Sequence, residues 1–367
     1  MKSMAKMFFG ALLLVVALVG GIFTYSFYQF AYTPGSLGVH EPLVIEVTKG
    51  QGPSDISRTV MEKGIVSDRR YFGWLGRLGH FWKGIKAGEY ELNAGMTPLE
   101  VFSVLTSGVS LQHPITIREG ENMMDVASDL QAKNLATRER FLRLCRSREF
   151  IATLGIPAPA PATLEGYLYP ETYFFNRVST PEEIIHKMVK KFTEVWGKAE
   201  QERAHVLGMT REQVITLASM IEKETGVPAE RPMISAVFHN RLRKGMRLQS
   251  DPTTVYGLGD RYKGNIHKAD LQDKSAYNTY VIPALPVGPI GNPGNDAIQA
   301  ALFPVQSEFL FFVSHNDGTH EFTRNYDDHR LAVRKFQLNP KAREGKSWRD
   351  FSKKQREMRA AASSKPE

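Results

Sequence analysis

VITLASMIEKETGVPAERPMISAVFHNRLRKGMRLQSDPTTVYGLG, Val214 to Gly259, is the stretch on which the reading turns. It opens as a helix. Thr210, Arg211, Glu212 and Gln213 form a capping-box pattern upstream, and Gly226 and Pro228 close the run. With Val214 at zero and about 100° per residue, Leu217 falls near 300°, Ala218 near 40° and Ile221 near 340°. Glu224 falls at about 280°, inside this apolar arc; Glu222 lies on its edge at about 80°. Lys223, at about 180°, is expected to face solvent with Glu212, Thr216 and Ser219. The two glutamates are about 160° apart and cannot flank one bond from the same helix. Glu224 is the candidate chemical carboxyl. Apolar neighbours desolvate it and raise its pKa. The helix dipole disfavours a further negative charge in the last turn. Both effects keep it protonated near neutral pH, as a general acid requires. Glu222 reads as a structural acceptor or an ion-pair partner of Arg241 or Arg243.

PMISAVFHNRLRKGM follows as a second apolar helix, with Ile234, Val237, Phe238 and Leu242 inward and a stop at Gly245. Gln249, Asp251, Thr253, Thr254 and Tyr256 then alternate with other residues, the pattern of an extended segment. AYNTY adds Tyr277, Asn278 and Tyr280. LPVGPIGNPG, residues 285–294, is too rigid and apolar for a linker and reads as a cleft wall. Amides suit N-acetyl and hydroxyl groups, and tyrosine rings stack on sugar faces. The set around Glu224 therefore points to a carbohydrate site, with Gln249, Asp251, Tyr256, Tyr277 and Asn278 as candidate contacts. Asp251 has two readings: a second carboxylate opposite Glu224, or the turn initiator of Ser250-Asp251-Pro252.

The N-terminus has its own signature. After MKSMAK, residues 7–28 carry no charge over 22 positions, enough to span about 30 Å of hydrocarbon. Lys2 and Lys6 favour a cytoplasmic N-terminus. The run ends in Tyr and Phe with no small-residue cleavage pattern, so an uncleaved single-pass anchor is expected, with the remainder outside the cytoplasm. Residues 29–42 read as a linker. Strand, helix, helix, strand, helix then follow from Leu43 to Gly108, with Ser54 a candidate cap. The start of this module, VIEVTKGQGPSDISRTVMEKGIVS, resembles LysM domains, which bind N-acetylated glycans; an ordinary α+β spacer is the alternative. HPITIREGENMMDVASDLQAKN repeats the strand–turn–helix pattern before a Pro/Ala linker. LEGYLYPETYFF places Glu165, Tyr167, Tyr169 and Tyr173 in an aromatic turn that either braces the next domain or lines a sugar groove.

Several classes of function find no support. The net charge is +8, yet residues 334–367 alone hold 11 Lys/Arg against 4 Asp/Glu. Basicity is a property of the tail, which argues against nucleic acid as a partner. Cys145 is the single cysteine, set among apolar neighbours, and reads as an inert buried thiol. His315, His320 and His329 match no zinc spacing. No metal and no cofactor are expected, and neither a nucleophile elbow nor a P-loop is present.

The strings ASMIEKETGVPAERPMISAVFHNRLRKGMRLQSDPTTVYG, AYNTY, LPVGPI, EGYLYPETY and FVSHNDGTHEFTRNYDDH resemble the endolytic murein transglycosylases, the MltG or YceG-like family. The resemblance runs from about Leu43 to Phe336. It implies non-hydrolytic cleavage of the MurNAc–GlcNAc β-1,4 bond in nascent peptidoglycan strands, leaving 1,6-anhydroMurNAc ends. It places the family's catalytic glutamate on Glu224, followed by Thr225 much as a Ser follows Glu in other lytic transglycosylases. It also implies penicillin-binding proteins as partners and the inner membrane of a bacterium as location, with the catalytic domain on the periplasmic side. Val287 departs from the family's L-P-P-G loop. The expected architecture is α+β: a cytoplasmic N-terminus (1–6), a transmembrane helix (7–28), a linker (29–42), a small LysM-like module (43–110), an extension (111–160), a mixed α/β catalytic domain (161–336) and a basic, disordered tail (337–367). A muramidase-type hydrolase using Glu224 with Asp251, and a glycan-binding scaffold without chemistry, are the competing functions.

Overall fold

Alternation of apolar residues makes the first strand pair. The structure, a computed structural model, describes residues 2–36 and 41–339; the tail from residue 340 and part of the expected linker lie outside the described residues. Strands β1 (Leu43–Val47) and β2 (Gly88–Leu92) run antiparallel, with Ile45 opposite Tyr90 and Val47 opposite Gly88. Ile45 and Val47 point inward and are buried, whereas Val44 and Glu46, which alternate with them, are exposed.

The described chain divides into two compact units. In the first, helices α2 (Pro53–Glu62) and α3 (Arg69–Leu78) connect the two strands, and α4 (Pro98–Ser107) follows. Asp68 caps α3 by accepting from the amides of Arg70 and Tyr71. Thr97 and Glu100 form a reciprocal capping box on α4. Gly52 occupies the cap position of α2, with Pro53 presetting the first turn, so Ser54 is not the cap that was expected. Phe72 stacks on Phe102 at 4.2 Å between centroids, and Val60, Leu92 and Leu105 complete a sealed core. Full burial of each such side chain stabilises by roughly 1.5–3 kcal/mol. The apolar N-terminal helix α1 runs from Lys2 to Tyr32, past the expected end of the span, and its Phe30 and Ala31 enter this same core.

The second unit is helical around one buried helix. After β3 (His113–Thr116), most of which belongs to the first unit, come α5 (Met123–Ala132), α6 (Arg138–Cys145) and α7 (Arg148–Ala152), then β4 (Thr172–Phe175), whose last two residues also belong to the first unit, and α8 (Pro181–Val195) and α9 (Lys198–Val206). The central helix α10 (Arg211–Glu224) is capped as expected by Thr210 and Gln213. The α11 (Arg231–Arg243), α12 (Asp251–Leu258) and α13 (Asn295–Leu302) helices pack on it. Strands β5 (Phe311–Ser314) and β6 (His320–Thr323) form an antiparallel hairpin before α14 (Tyr326–Val333).

Two expectations fail here for physical reasons. Thr216 and Ser219 do not face solvent: α10 is enclosed from Val214 to Ile221, although Lys223 beyond it is exposed as expected. Ser219 is satisfied locally, donating to the Thr216 carbonyl and accepting from the Ile290 amide at 3.0 Å. The QSDPTTVYG segment is not extended. Its Ser-Asp-Pro start is a helix-opening signal, and the alternation beyond it coincides with an eight-residue helix, α12.

Candidate active site

Glu224 is the last residue of α10, and its side chain is half-buried. The chain leaves the helix through Thr225 in an extended conformation, with the Thr225 hydroxyl accepting from the Val227 amide. The Ser250 hydroxyl donates to Glu224 Oε1 at 2.5 Å. Desolvation pushes the Glu224 carboxyl up to about 7, with the Asp251 charge adding to the rise; the Ser250 hydrogen bond and Arg241 act the other way. Ser250 stands at the cap position of α12, where its carbonyl accepts from the Thr253 amide and hydroxyl, yet its side chain makes no cap bond and is directed instead at Glu224. Sequence reading passed over Ser250, whose place in the Q-S-D-P string was the available signal.

The neighbours of Ser250 are held tightly. Thr279 accepts the Ser250 amide through its hydroxyl at 2.9 Å and the Gln249 amide through its carbonyl at 3.2 Å. Gln249 is exposed and sits at φ +52°, a conformation that costs a non-glycine residue about 1–3 kcal/mol. Buried Arg241 spans this loop, donating to the Leu248 carbonyl at 2.7 Å and to Gln249 Oε1 at 3.4 Å. Exposed Asp251 accepts from the Tyr280 hydroxyl at 2.6 Å. Glu224, Ser250, Gln249, Asp251, Arg241 and Tyr280 thus form one polar cluster at the end of α10.

The other expected contacts lie elsewhere or are already engaged. Asn278 does not present its amide to a ligand. It is fully buried, accepting from Thr254 Oγ1 at 3.0 Å and donating to the carbonyl of Asp273 at 2.8 Å. Tyr256 is two turns along α12 from Ser250. Its ring packs on Tyr277 at 4.7 Å, and its hydroxyl donates to Glu165 Oε2 at 2.7 Å. Glu165 is only 1% exposed, and burial pushes it up to about 7 as well. It also accepts from the Met123 amide at the start of α5. Sequence reading placed Glu165 in an aromatic turn but did not see a second raised carboxyl, since burial is set by distant elements. Gly166 beside it has φ +86°, and an added Cβ would lie 2.7 Å from Pro289 and 2.8 Å from Ile215.

Glu222 pairs with Arg231 at 2.6 Å and accepts from the Gly294 amide at 3.0 Å. Arg231, not Arg241 or Arg243, is the cation: Arg241 is committed to backbone carbonyls, and Arg243 donates to Asn240. The 285–294 loop packs inward over most of its length, with Leu285 half-buried. Gly288 to Gly294 are buried, with Asn292 accepting from the Leu168 amide and donating to the Glu121 carbonyl. Val287 is exposed, and its amide donates to the Ala276 carbonyl, a bond that a proline there could not make. The three histidines take separate structural partners: His315 bonds Thr319 and Glu321, His320 bonds Glu230, and His329 stacks on Phe311. Cys145 is fully buried, and burial raises its thiol pKa, the inert state expected of it.

With this geometry in place, comparison with known proteins gives a consistent result. The chain is 30% identical to an endolytic murein transglycosylase of Bacillus subtilis over 335 residues, covering 87% of this chain and 91% of that protein. It is 28% identical to the endolytic murein transglycosylase of Streptococcus pneumoniae, covering 89% of this chain but 64% of that longer protein. Among solved structures, a YceG-like protein of Listeria monocytogenes matches with a TM-score of 0.55 and 30% identity, over 79% of this chain and 98% of that one. The model of the YceG-like family matches residues 45–335, from β1 to the end of α14, and on that match this chain belongs to the YceG-like family.

Proposed function

We propose that this protein is a lytic transglycosylase that cuts within peptidoglycan strands at MurNAc–GlcNAc β-1,4 bonds, leaves 1,6-anhydroMurNAc ends and so terminates strand growth. Two relatives carry the name endolytic murein transglycosylase. The observation that carries the reading is the Glu224 carboxyl: pushed up to about 7, half-buried, and held by the Ser250 hydroxyl, with no ion-pair partner among the described residues.

One carboxyl then serves twice. Protonated Glu224 gives its proton to the bridging oxygen as the C1–O bond breaks and positive charge develops on the sugar. The carboxylate so formed takes the proton from the C6 hydroxyl, whose oxygen closes on C1. The proton returns to Glu224 and no water is consumed. Gln249 and Asp251, both exposed beside Ser250, are placed to meet sugar hydroxyls and N-acetyl groups. Tyr256 and Tyr277 act at one remove, as a braced aromatic pair anchored on Glu165.

In this reading, α1 anchors the chain in the inner membrane with the catalytic unit on the periplasmic side. Its apolar segment, Lys6–Tyr32, is long enough to cross. The LysM-like assignment of the first module draws support from its element order and from a cavity of about 250 Å³ beside Trp82, lined also by Thr48, Gln51 and Ile85. Penicillin-binding proteins, which make nascent strands, are the partners this placement calls for. A muramidase-type hydrolase is the second reading, favoured by Asp251 lying close enough for its charge to raise the Glu224 pKa.

Digestion of purified glycan strands in ¹⁸O-labelled water, read by mass spectrometry, separates the two. Anhydro ends free of label are expected. Reducing ends carrying one labelled oxygen would replace this mechanism with hydrolysis.

A further inference from the structure

Helix α3 carries a broad apolar arc, and the core seals only part of it. Phe72, Leu75 and Gly76 face inward and are buried. Along the edge of that face, half-buried Tyr71, which also packs against the core, lies within about 60° of Trp74 and Leu78. Trp74 is 47% exposed and Leu78 is 69% exposed. Arg70 and Arg77 follow about 40–60° beyond Trp74, away from the core, and both are exposed. An apolar stripe bordered by arginines is the pattern of a helix lying in a bilayer interface.

What covers this stripe is indicated by α1. Trp74 packs on Phe23 at 5.2 Å between centroids, and Tyr71 packs on Phe23, Phe27 and Phe30 at 5.8, 5.9 and 5.5 Å. Lys6 is the last charge before the apolar run. Counted from Met7 at 1.5 Å per residue, Phe23 lies about 24 Å into the span and Phe27 about 30 Å, the thickness of the hydrocarbon. Tilt of the helix would bring both rings deeper. No flexible segment intervenes: α1 continues unbroken until Phe30 and Ala31 are locked in the core of the unit. The depth of α1 therefore fixes the depth of α3.

We propose that α3 is a membrane-interface helix: Tyr71, Trp74 and Leu78 sit in the far leaflet of the bilayer that α1 spans, and Arg70 and Arg77 reach its headgroup phosphates. The inference rests on the reading that α1 crosses the membrane. It makes the first unit a body seated in the lipid surface, not one tethered above it.

The full chain, reconstituted in phosphatidylethanolamine–phosphatidylglycerol vesicles, provides the test. Leu78→Cys, Arg77→Cys and Leu14→Cys are each labelled with an environment-sensitive fluorophore; the native thiol at Cys145 is buried. Each label is challenged with nitroxide lipids and with aqueous iodide. The label at 14 should respond to deep-chain nitroxide alone. The labels at 78 and 77 should be quenched at least about threefold more by nitroxide near the headgroup than by iodide, as an interfacial position requires. If 14 is lipid-quenched while 77 and 78 are open to iodide, α1 spans but α3 stays in water, and the inference fails. If 14 too is open to iodide, the anchor itself fails and takes the inference with it.

Discussion

Helix α12 runs between two acids that share a pKa and little else. At its start, Ser250 donates to Glu224; two turns on, Tyr256 donates to Glu165. Burial pushes both carboxyls up to about 7. Glu165 is sealed at 1% exposure, held by a backbone amide and a phenol, and no substrate atom can reach it. Glu224 is half-buried at a helix end beside exposed Gln249 and Asp251. A raised pKa thus marks a desolvated acid, and access decides whether that acid can do chemistry.

The comparison breaks first on removal of each carboxyl. Glu224→Gln keeps the shape and loses the proton, so cleavage should fall by roughly 10²–10⁴ while glycan binding and the melting temperature hold. Wild-type rates measured on purified Glu224→Gln would end the assignment. The pH profile gives the next effect. Glu224 must begin protonated, so kcat/KM should decline above about pH 7, approaching about tenfold per pH unit.

Glu165 should show itself in stability. Its folded pKa, about 7, exceeds the ordinary 4.5, so the native state keeps a proton that the unfolded chain gives up. Its contribution is complete below pH 4.5 and is lost as pH rises through about 7. Urea denaturation at pH 5 and pH 8 should find the wild type weaker at the higher pH, and Glu165→Gln should remove its share of that slope, leaving the share of Glu224. Tyr256→Phe, which leaves Glu165 short of a donor, should cost about 1–3 kcal/mol and affect cleavage far less than Glu224→Gln does. A loss of cleavage equal to that of Glu224→Gln would put Glu165 in the chemistry.

How far these regions were legible in sequence follows the same division. The Glu224 argument needed only helical periodicity and a cap, both local, and α10 begins and ends where the pattern says. The order of strands and helices from Leu43 to Gly108 was readable for the same reason. Failures came where long-range packing decides. Thr216 and Ser219 look polar on a wheel but lie inside because neighbouring helices enclose α10. Asn278 looks like a sugar ligand, yet its amide ties together a loop that sequence cannot fold. Glu222 takes Arg231 in place of Arg241 because the Leu248 and Leu310 carbonyls already hold Arg241.

The finest test of the comparison is Ser250→Ala. A serine at a helix start is ordinarily a cap, and its loss costs typically about 1 kcal/mol. Here the hydroxyl makes no bond to its own helix and is directed at Glu224, so the stability change should be smaller than for a cap. The effect should surface in the pH profile. The Ser250 bond favours the charged carboxylate, so removing it raises the Glu224 pKa further. The alkaline limb should then move to higher pH, by less than about one unit, while the plateau rate drops a few-fold as the carboxyl loses its orientation. A melting-temperature loss typical of a cap, with the limb unmoved, would return Ser250 to a structural role and leave access alone to set Glu224 apart from Glu165.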